Sequence, residues 1–251
     1  MSDFELSITP SGDVINQLRD HIVILSMETQ TAFAEIYGGF DWRADLSDPA
    51  VFWFESSPPT IFKPYFIGST SGESNTWLWG WENINGFPDE LVEISANARE
   101  IGEVLQASEL TTAKLALGAE ARAAAGLPER ENADQDYVFA AMALSPIQVP
   151  VLYRGPTGEG SYAWFLIEND EAFSLPDPTP LATVNAVANA IKSGLVSDCR
   201  LALEKYAQRR DGVTLVETSV GVDLVMESGT VHLVLDELGR VREATVKASA
   251  S

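Results

Sequence analysis

The chain has 251 residues, of which 45% are hydrophobic and 21% are charged, with a formal net charge of −21. This composition is typical of a soluble globular protein with one large domain or two of ordinary size. Residues 1–189 hold 28 acidic and eight basic side chains, which disfavours nucleic acid and anionic membranes as partners because both are negatively charged. Solubility is the simplest role for such a surface, and attraction of a basic protein partner is the alternative.

The cysteine content and the apolar segments predict the compartment. Cys199 is the single cysteine, so no intrachain disulfide is expected, which is typical of a reducing compartment. The first residues lack the basic start and apolar run of a signal peptide, and no apolar stretch approaches the ~20 residues that cross a bilayer. We therefore expect a cytoplasmic protein without a membrane contact.

The first part of the chain predicts a long helix followed by a meander. Apolar residues recur every three or four positions over residues 12–37, which predicts a helix capped by Ser11 and ended by Gly38 and Gly39. Pro64 is expected at a sheet edge or a bulge. Turn residues separate four predicted strands, at residues 42–46, 51–54, 62–69 and 75–82. The expected arrangement is a long helix packed on an antiparallel sheet.

Three of the six tryptophans lie in the fourth of these strands. In an extended strand Trp77, Trp79 and Trp81 would project from one face. One interpretation is that they are buried beneath the long N-terminal helix, with the central Trp79 the most buried. The alternative is a stacking platform for a sugar, a base or an apolar ligand. Its candidate ligand-binding residues are Trp77, Trp81, Asn83, Tyr153 and Arg154.

The rest of the chain predicts further helices and two more antiparallel units. Residues 88–105 are typical of an amphipathic helix, residues 108–133 of a short helix and a mobile connection, and residues 134–145 of a helix capped by Asp134. A hairpin follows, with its turn at residues 155–160. After a proline-rich linker, two helices precede four short strands, at residues 213–217, 220–226, 230–236 and 240–247.

These patterns together predict an α+β protein in two parts. Residues 1–175 are expected to form the main domain, in which the long helix packs on the antiparallel meander. Residues 176–251 are expected to form a smaller unit of helices and a four-stranded meander, separable near Pro176.

No residue pattern predicts catalysis, a metal or a cofactor. His21 and His232 lie in unrelated elements without ligands at suitable spacing, which disfavours a zinc site. Cys199 is expected to be a packing residue. The glycines of residues 155–160 precede a strand, whereas a phosphate-binding loop precedes a helix, so they predict a turn. The 37 acidic residues contain no pair that stands out.

Several blocks of the sequence resemble a bacterial domain-of-unknown-function family. They are the N-terminal helix, Asp41-Trp42, the Trp77–Asn83 segment and the run Tyr153-Arg154-Gly155-Pro156-Thr157-Gly158. Members of that family carry a Thr-Trp-Leu-Trp-(Gly/Ala)-Trp-Ala-Asn signature and a later Tyr-Arg-Gly-Pro-Thr-Gly turn. The resemblance covers roughly residues 11–170, departs at Glu82, where Ala is usual, and includes a longer connection at 106–133. It implies a shared fold and no assigned activity.

Two functional classes are compatible with these features. The first is a non-enzymatic binding or protein-interaction module, with a basic protein as its partner. The second is a small-molecule-binding protein, with or without catalysis, whose pocket lies beside the Trp77–Trp81 strand. An exposed apolar patch would favour the first, and a deep cleft with converging polar groups beside that strand would favour the second.

Overall fold

The computed structural model describes residues 8–9 and 12–249. It shows an α+β fold with two antiparallel sheets, one of seven strands and one of four. The described residues form two compact units. The inserted unit consists of residues 33–173, and the discontinuous unit combines the described residues up to Ala32 with those from Ser174 onward. The predicted fold class is confirmed.

The inserted unit is built on the seven-stranded sheet. Its central strand, Thr60–Ser71, is twelve residues long and pairs with three others: with Val51–Phe54 over residues 60–62, with Thr76–Trp79 over residues 68–71 and with Ser161–Glu168 over residues 63–70. The strands are β1 Trp42–Asp45, β2 Val51–Phe54, β3 Thr60–Ser71, β4 Thr76–Trp79, β5 Lys114–Ala116, β6 Val151–Gly158 and β7 Ser161–Glu168. The predicted four-stranded meander is therefore part of a larger sheet.

Pro64 lies inside the central strand and not at an edge of the sheet. At residues 63–67, between its pairings with β2 and β4, β3 has β7 as its paired neighbour. A proline there can interrupt at most one ladder of hydrogen bonds, which explains why it is tolerated. The irregularity in pairing with β7 lies slightly later, between Phe66 and Gly68.

Four helices complete the inserted unit. Two of them, Asp89–Leu105 and Ala133–Leu144, pack on β3 and on each other. The second is buried on nearly all sides because its residues 136–144 are mostly apolar. The helices are α3 Asp89–Leu105, α4 Ser108–Thr111, α5 Ala119–Ala124 and α6 Ala133–Leu144. Pro88 and Asn132 occupy the N-cap positions of α3 and α6, so Asp134 is inside α6 and not its cap.

The discontinuous unit contains helices from both parts of the chain and the second sheet. Its strands β8 Thr214–Glu217, β9 Gly221–Met226, β10 Gly229–Leu235 and β11 Val241–Ala248 form a meander in the order β11-β10-β9-β8. Alternate residues such as Val222, Leu224, Val231 and Leu233 are buried, as the period-2 pattern predicts. The helices are α1 Val14–Asp20, α2 Val23–Tyr37, α7 Pro180–Lys192 and α8 Cys199–Arg209, and Phe33–Tyr37 of α2 group with the inserted unit.

The predicted N-terminal helix is divided in two. A turn at His21 and Ile22 separates α1 from α2, and the amide of Ile22 there bonds three residues back, to Arg19. The side chain of Asp13 caps α1 by accepting from the amide of Asn16. The predicted cap, Ser11, lies outside the described residues.

The division into units differs from the predicted domains in one respect. Its later boundary, after Phe173, lies close to the proline-rich linker, but the residues up to Ala32 group with the C-terminal part. The reason is that α1 packs on α8. Independent folding of either part stays a prediction.

Candidate functional site

Two of the three tryptophans of the fourth strand are core residues. Trp77 and Trp79 are 0% and 1% exposed, and their rings meet edge to face at 5.3 Å. Both rings lie 5.8 Å from that of Tyr137 on α6. The burial interpretation therefore holds for this pair, but the helix that covers them is α6 and not the N-terminal helix.

Trp81 does not share the face of Trp77 and Trp79. The strand ends at Trp79, and residues 80–82 form a 3₁₀ turn. Gly80 lies so close to the sheet that a Cβ there would be 2.5 Å from the carbonyl oxygen of Phe66, so a larger residue would not fit at this position. The half-buried ring of Trp81 instead faces the guanidinium of Arg99 at 4.6 Å. The predicted strand over residues 75–82 is thus too long by three residues at its end.

Asn83 closes the turn that follows. It has a left-handed backbone conformation, with φ of 44°, which asparagine tolerates better than most residues. Its side-chain amide donates to the carbonyl of Phe87 and accepts from the Phe87 amide, at 2.9 and 2.8 Å. These two bonds give Asn83 a structural role in the turn before α3.

A cluster of buried charges lies directly beside Trp79. The indole Nε1 of Trp79 donates to the carbonyl oxygen of Glu109 at 2.9 Å. The carboxylate of Glu109 accepts from Arg122 at 2.7 Å, from Arg130 at 2.8 and 3.0 Å, and from the hydroxyl of Tyr137 at 2.9 Å. Asp136, 3.7 Å from Arg130, completes what we call the buried ion cluster: Glu109, Arg122, Arg130, Asp136 and Tyr137.

Arg122 ties this cluster to the backbone of the connection between α3 and α6. It is 0% exposed and donates to the carbonyl oxygens of Ala116 and Pro128. The segment predicted to be mobile, residues 108–133, instead contains regular structure: it carries α4, β5 and α5, and three of its charged side chains, Glu109, Arg122 and Arg130, are buried. The sequence reasoning missed Glu109, Arg122 and Arg130, because no regular spacing marks them.

The electrostatics of the buried ion cluster indicate a structural role and not acid–base catalysis. Burial by itself would raise the pKa of Glu109, but the hydrogen bonds and charge of Arg130, with those of Arg122, hold it below the ordinary value. Burial and the negative charge of Glu109 raise the pKa of Tyr137. Neither group changes its protonation near neutral pH, where a general acid or base would have to act.

Tyr153 belongs to an aromatic cluster at the other end of the sheet. Its ring lies 5.0 Å from that of Trp42 and 4.9 Å from that of Phe52, and Trp42 stacks in parallel on Phe52 at 5.4 Å. Gly155 makes room for this packing, because a Cβ there would lie 2.8 Å from the Trp42 ring. Burial raises the pKa of the Tyr153 hydroxyl to about 12.

Arg154 projects from the opposite face of the same strand. Its guanidinium lies over the rings of Tyr162 and Trp164, at 4.4 and 5.4 Å from their centroids. The strand continues through Gly158, so the turn of this hairpin is Glu159-Gly160 and not the whole of residues 155–160. Gly160 takes the positive φ, 65°, that the turn requires.

The five predicted ligand-binding residues therefore do not line one site. Trp77 is enclosed in the core, Trp81 faces Arg99, Asn83 closes a turn, and Tyr153 and Arg154 point to opposite faces of β6. The separation of Tyr153 and Arg154 follows from strand alternation alone, so it could have been predicted from the sequence.

Comparison with known families identifies the family to which the chain belongs. A family model described as a family of unknown function (DUF6882) matches residues 16–170. The chain belongs to DUF6882. The matched range agrees with the one expected from the resemblance, and it contains both the Trp77–Trp79 core and the Trp42–Tyr153 cluster. No curated protein and no solved structure matches the chain.

A cleft of about 640 Å³ lies in the discontinuous unit of this DUF6882 protein. At its base Asp20, 1% exposed, accepts from the backbone amides of Ser197 and Asp198 at 2.9 and 2.8 Å. Burial raises the pKa of Asp20 to about 7. The cleft is lined largely by polar residues, including Thr9, Asp13, Asn16, Gln17, Asp198 and Glu204.

The described part of the chain shows no reactive thiol, metal-binding group or membrane-spanning helix. Burial raises the pKa of the Cys199 thiol to about 11, which leaves it protonated and weakly nucleophilic. Residues 8–9 and 12–249 contain no group of three His, Cys, Asp or Glu side chains arranged for a metal ion. Within the same residues, no helix combines the length and apolar character needed to cross a bilayer.

Proposed function

We propose that this DUF6882 protein is a non-enzymatic protein-interaction module that binds a basic partner through its inserted unit. The observation that supports this proposal most strongly is the charge of that unit. Residues 33–173 hold 22 acidic and seven basic side chains, a net charge of −15. Two of the seven bases, Arg122 and Arg130, are buried together with two of the acids, Glu109 and Asp136, so the exposed surface keeps the same net charge. The rest of the sequence, residues 1–32 and 174–251, accounts for the remaining −6.

The exposed bases of the inserted unit are mostly neutralised as well. Three of the five form surface ion pairs, Arg43 with Glu55, Lys63 with Glu93 and Arg99 with Glu103. Each pair neutralises one acid as well as one base, so the negative field of the unit comes from its unpaired acidic side chains, which account for the net charge of −15. Such a field steers a basic protein toward its partner and favours it over neutral or acidic competitors.

An exposed apolar patch lies within this acidic surface. Trp53 and Ile61 are in register on β2 and β3, on the face opposite the buried Phe52 and Phe62. Ile61 is 58% exposed and Trp53 is half-buried, and the Arg43–Glu55 pair lies at their border. A small apolar centre with a charged rim is the usual composition of a protein–protein interface.

The proposal assigns the buried ion cluster a structural role and not a catalytic one. Its carboxylate, guanidinium and phenol groups bind one another and backbone carbonyls, with Glu109 and Arg122 both inaccessible to a ligand. We also propose that the protein is located in the bacterial cytoplasm, because its sequence resembles a bacterial family and because Cys199 is its single cysteine.

The test begins with capture of partners by the tagged protein in cells and identification by mass spectrometry, followed by reconstitution with the purified partner. We expect a stoichiometric complex with a basic protein, whose dissociation constant rises as salt is added. The double variant Trp53→Ser, Ile61→Ser should weaken it. The control Val246→Ser, at an exposed position of β11, should not. A partner that is acidic, or binding that is unaffected by salt and by the double variant, would contradict the proposal.

The second candidate function is binding of a small molecule, and the cleft above Asp20 favours it. Its volume of about 640 Å³ is in the range of ligand sites, and a buried carboxyl with a raised pKa is common at such sites. The cleft is distant in sequence from the Trp77–Trp81 strand, where the sequence placed a pocket. Screening a metabolite library for thermal stabilisation of the wild type and of Asp20→Asn would test it.

A further inference from the structure

The strand β1 is an edge of the seven-stranded sheet. The sheet order begins with β1, and its pairing runs from Trp42↔Phe54 to Asp45↔Val51 on β2. An edge strand has a row of backbone N–H and C=O groups without a neighbouring strand, and such a row can receive an added strand from another chain.

The register identifies which groups face the open edge. The amide of Glu55 donates to the carbonyl of Asp41 at 2.8 Å, so Asp41 and Glu55 form a hydrogen-bonded pair. Because such pairs alternate with non-bonded pairs in an antiparallel ladder, Arg43 and Asp45 also bond to β2. Trp42 and Ala44 therefore direct their N–H and C=O groups away from β2, toward the open edge.

A groove follows this edge. It has a volume of about 390 Å³ and is lined by Asp41, Trp42, Arg43 and Ala44. The edge is held in place from behind, because the Trp42 ring is stacked on Phe52 and lies against Tyr153. A docking segment would thus meet a preformed strand and would not have to order it, which reduces the cost of binding.

The charges around the groove identify its occupant. Asp41, Asp45 and Asp48 are exposed along β1 and its turn, and the charge of Arg43 is offset by Glu55 at 3.0 Å. A second copy of the chain would place the same acidic residues against this edge, and like charges opposite one another are destabilising. Lysine or arginine side chains on an extended segment would complement them.

We infer that β1 receives an extended basic segment of a partner protein as an additional antiparallel strand. The inference rests on the proposed function and specifies how the basic partner is held. Backbone groups of Trp42 and Ala44 supply the ladder, and Asp41 and Asp45 select for positive side chains on the incoming strand.

Amide hydrogen exchange on the whole protein tests this directly. The probe is a blocked octapeptide of alternating Lys and Val, compared with the same peptide carrying Glu in place of Lys. We expect the Lys peptide to slow exchange at the amides of Trp42 and Ala44 by about tenfold or more, with little change at Arg43, whose amide already bonds to β2. The Glu peptide should leave all three amides unchanged.

Variants separate the backbone contribution from the charge contribution. Ala44→Pro removes one outward N–H and should weaken Lys-peptide binding about tenfold or more, whereas Ala44→Val keeps the N–H and should bind as the wild type does. If Ala44→Pro does not fold, Asp41→Asn with Asp45→Asn provides the second test. It should weaken binding of the Lys peptide without affecting the melting temperature.

Three results would overturn the inference. They are unprotected Trp42 and Ala44 amides with the Lys peptide, equal protection by the Glu peptide, and protection that depends on protein concentration, which would make the occupant a second copy. If the reconstituted basic partner still binds when the edge fails these tests, only the edge assignment is lost. Failure of both experiments overturns the proposed function.

Discussion

The substitution Glu109→Gln isolates the role of charge in the buried ion cluster. Glutamine keeps the size of the side chain but removes its charge and replaces one acceptor oxygen by a donor. In the wild type both carboxylate oxygens accept hydrogen bonds, one from Arg122, Arg130 and Tyr137 and the other from Arg130. In the variant an NH₂ group must therefore face a buried guanidinium or hydroxyl donor.

The expected loss is large because the two guanidiniums stay buried. Asp136 still lies near Arg130, but the other acceptors described for Arg122 are the neutral oxygens of Ala116, Pro128 and Tyr137. Removing one partner of a buried ion pair typically costs about 3–5 kcal/mol. This is a substantial share of the ~5–15 kcal/mol that separates folded and unfolded states, and corresponds to a melting temperature lower by roughly 10 °C.

Urea unfolding followed by tryptophan fluorescence measures this loss, since Trp77 and Trp79 lie beside the cluster. The control is Glu103→Gln, at an exposed ion pair with Arg99, which should change the unfolding free energy by about 0–1 kcal/mol. If Glu109→Gln costs less than about 1 kcal/mol, the charge of Glu109 does not stabilise the inserted unit. The cluster would then be held by hydrogen bonds and packing alone.

Three further outcomes follow from other parts of the structure. Trp79→Ala should cost about 3–5 kcal/mol of unfolding free energy in thermal melts, with a much smaller loss for Trp81→Ala, whose ring is half-buried. The folded pKa of Asp20 is raised to about 7, so the folded state takes up a proton that the unfolded chain does not bind. Stability from Asp20 should therefore rise by about 2 kcal/mol between pH 8 and pH 5.5 in urea titrations, and Asp20→Asn should abolish that rise. Gly155→Ala should place a methyl group against the Trp42 ring, lower stability by about 1–3 kcal/mol and alter the near-ultraviolet circular dichroism; an unchanged spectrum would argue against the described packing.

Local patterns predicted the strands of the discontinuous unit and the β1–β2 hairpin well. Val231, Leu233 and their neighbours alternate between buried and half-buried positions, and glycines mark the turns, so period and turn chemistry agree. The same signals predicted the hairpin around Asp48 and Pro49. In both cases the paired strands are adjacent in sequence, so no long-range information was needed.

The buried ion cluster could not be predicted in this way. Glu109 and Arg130 are 21 residues apart, and they lie in an alanine-rich segment with no amphipathic period. A charged side chain there is expected to face solvent, because burial of a charge is favourable only when its partners are in place. The fold brings those partners together from distant positions, so the spacing of charged residues in the sequence does not reveal them.

The end of the tryptophan strand shows a second limit. Alternation predicted that Trp81 continues the face of Trp77 and Trp79. Residues 80–82 instead form a 3₁₀ turn, in which Gly80 lies close to the carbonyl of Phe66 on a neighbouring strand. Periodicity describes one element at a time, so it cannot predict such a close contact between two elements.

The contact between Asp20 and the amide of Ser197 has a consequence for synthesis on the ribosome. The two residues are 177 positions apart, so at ~5–20 residues per second the carboxyl of Asp20 waits roughly 9–35 s for its partner to be made. The inserted unit, residues 33–173, is complete before then. Helix α1 is synthesised first, but it can pack on α8 only after α8 has been made. A nascent chain stalled near residue 175 would therefore carry an exposed α1, and the carboxylate of Asp20 would lack the amide hydrogen bonds from Ser197 and Asp198.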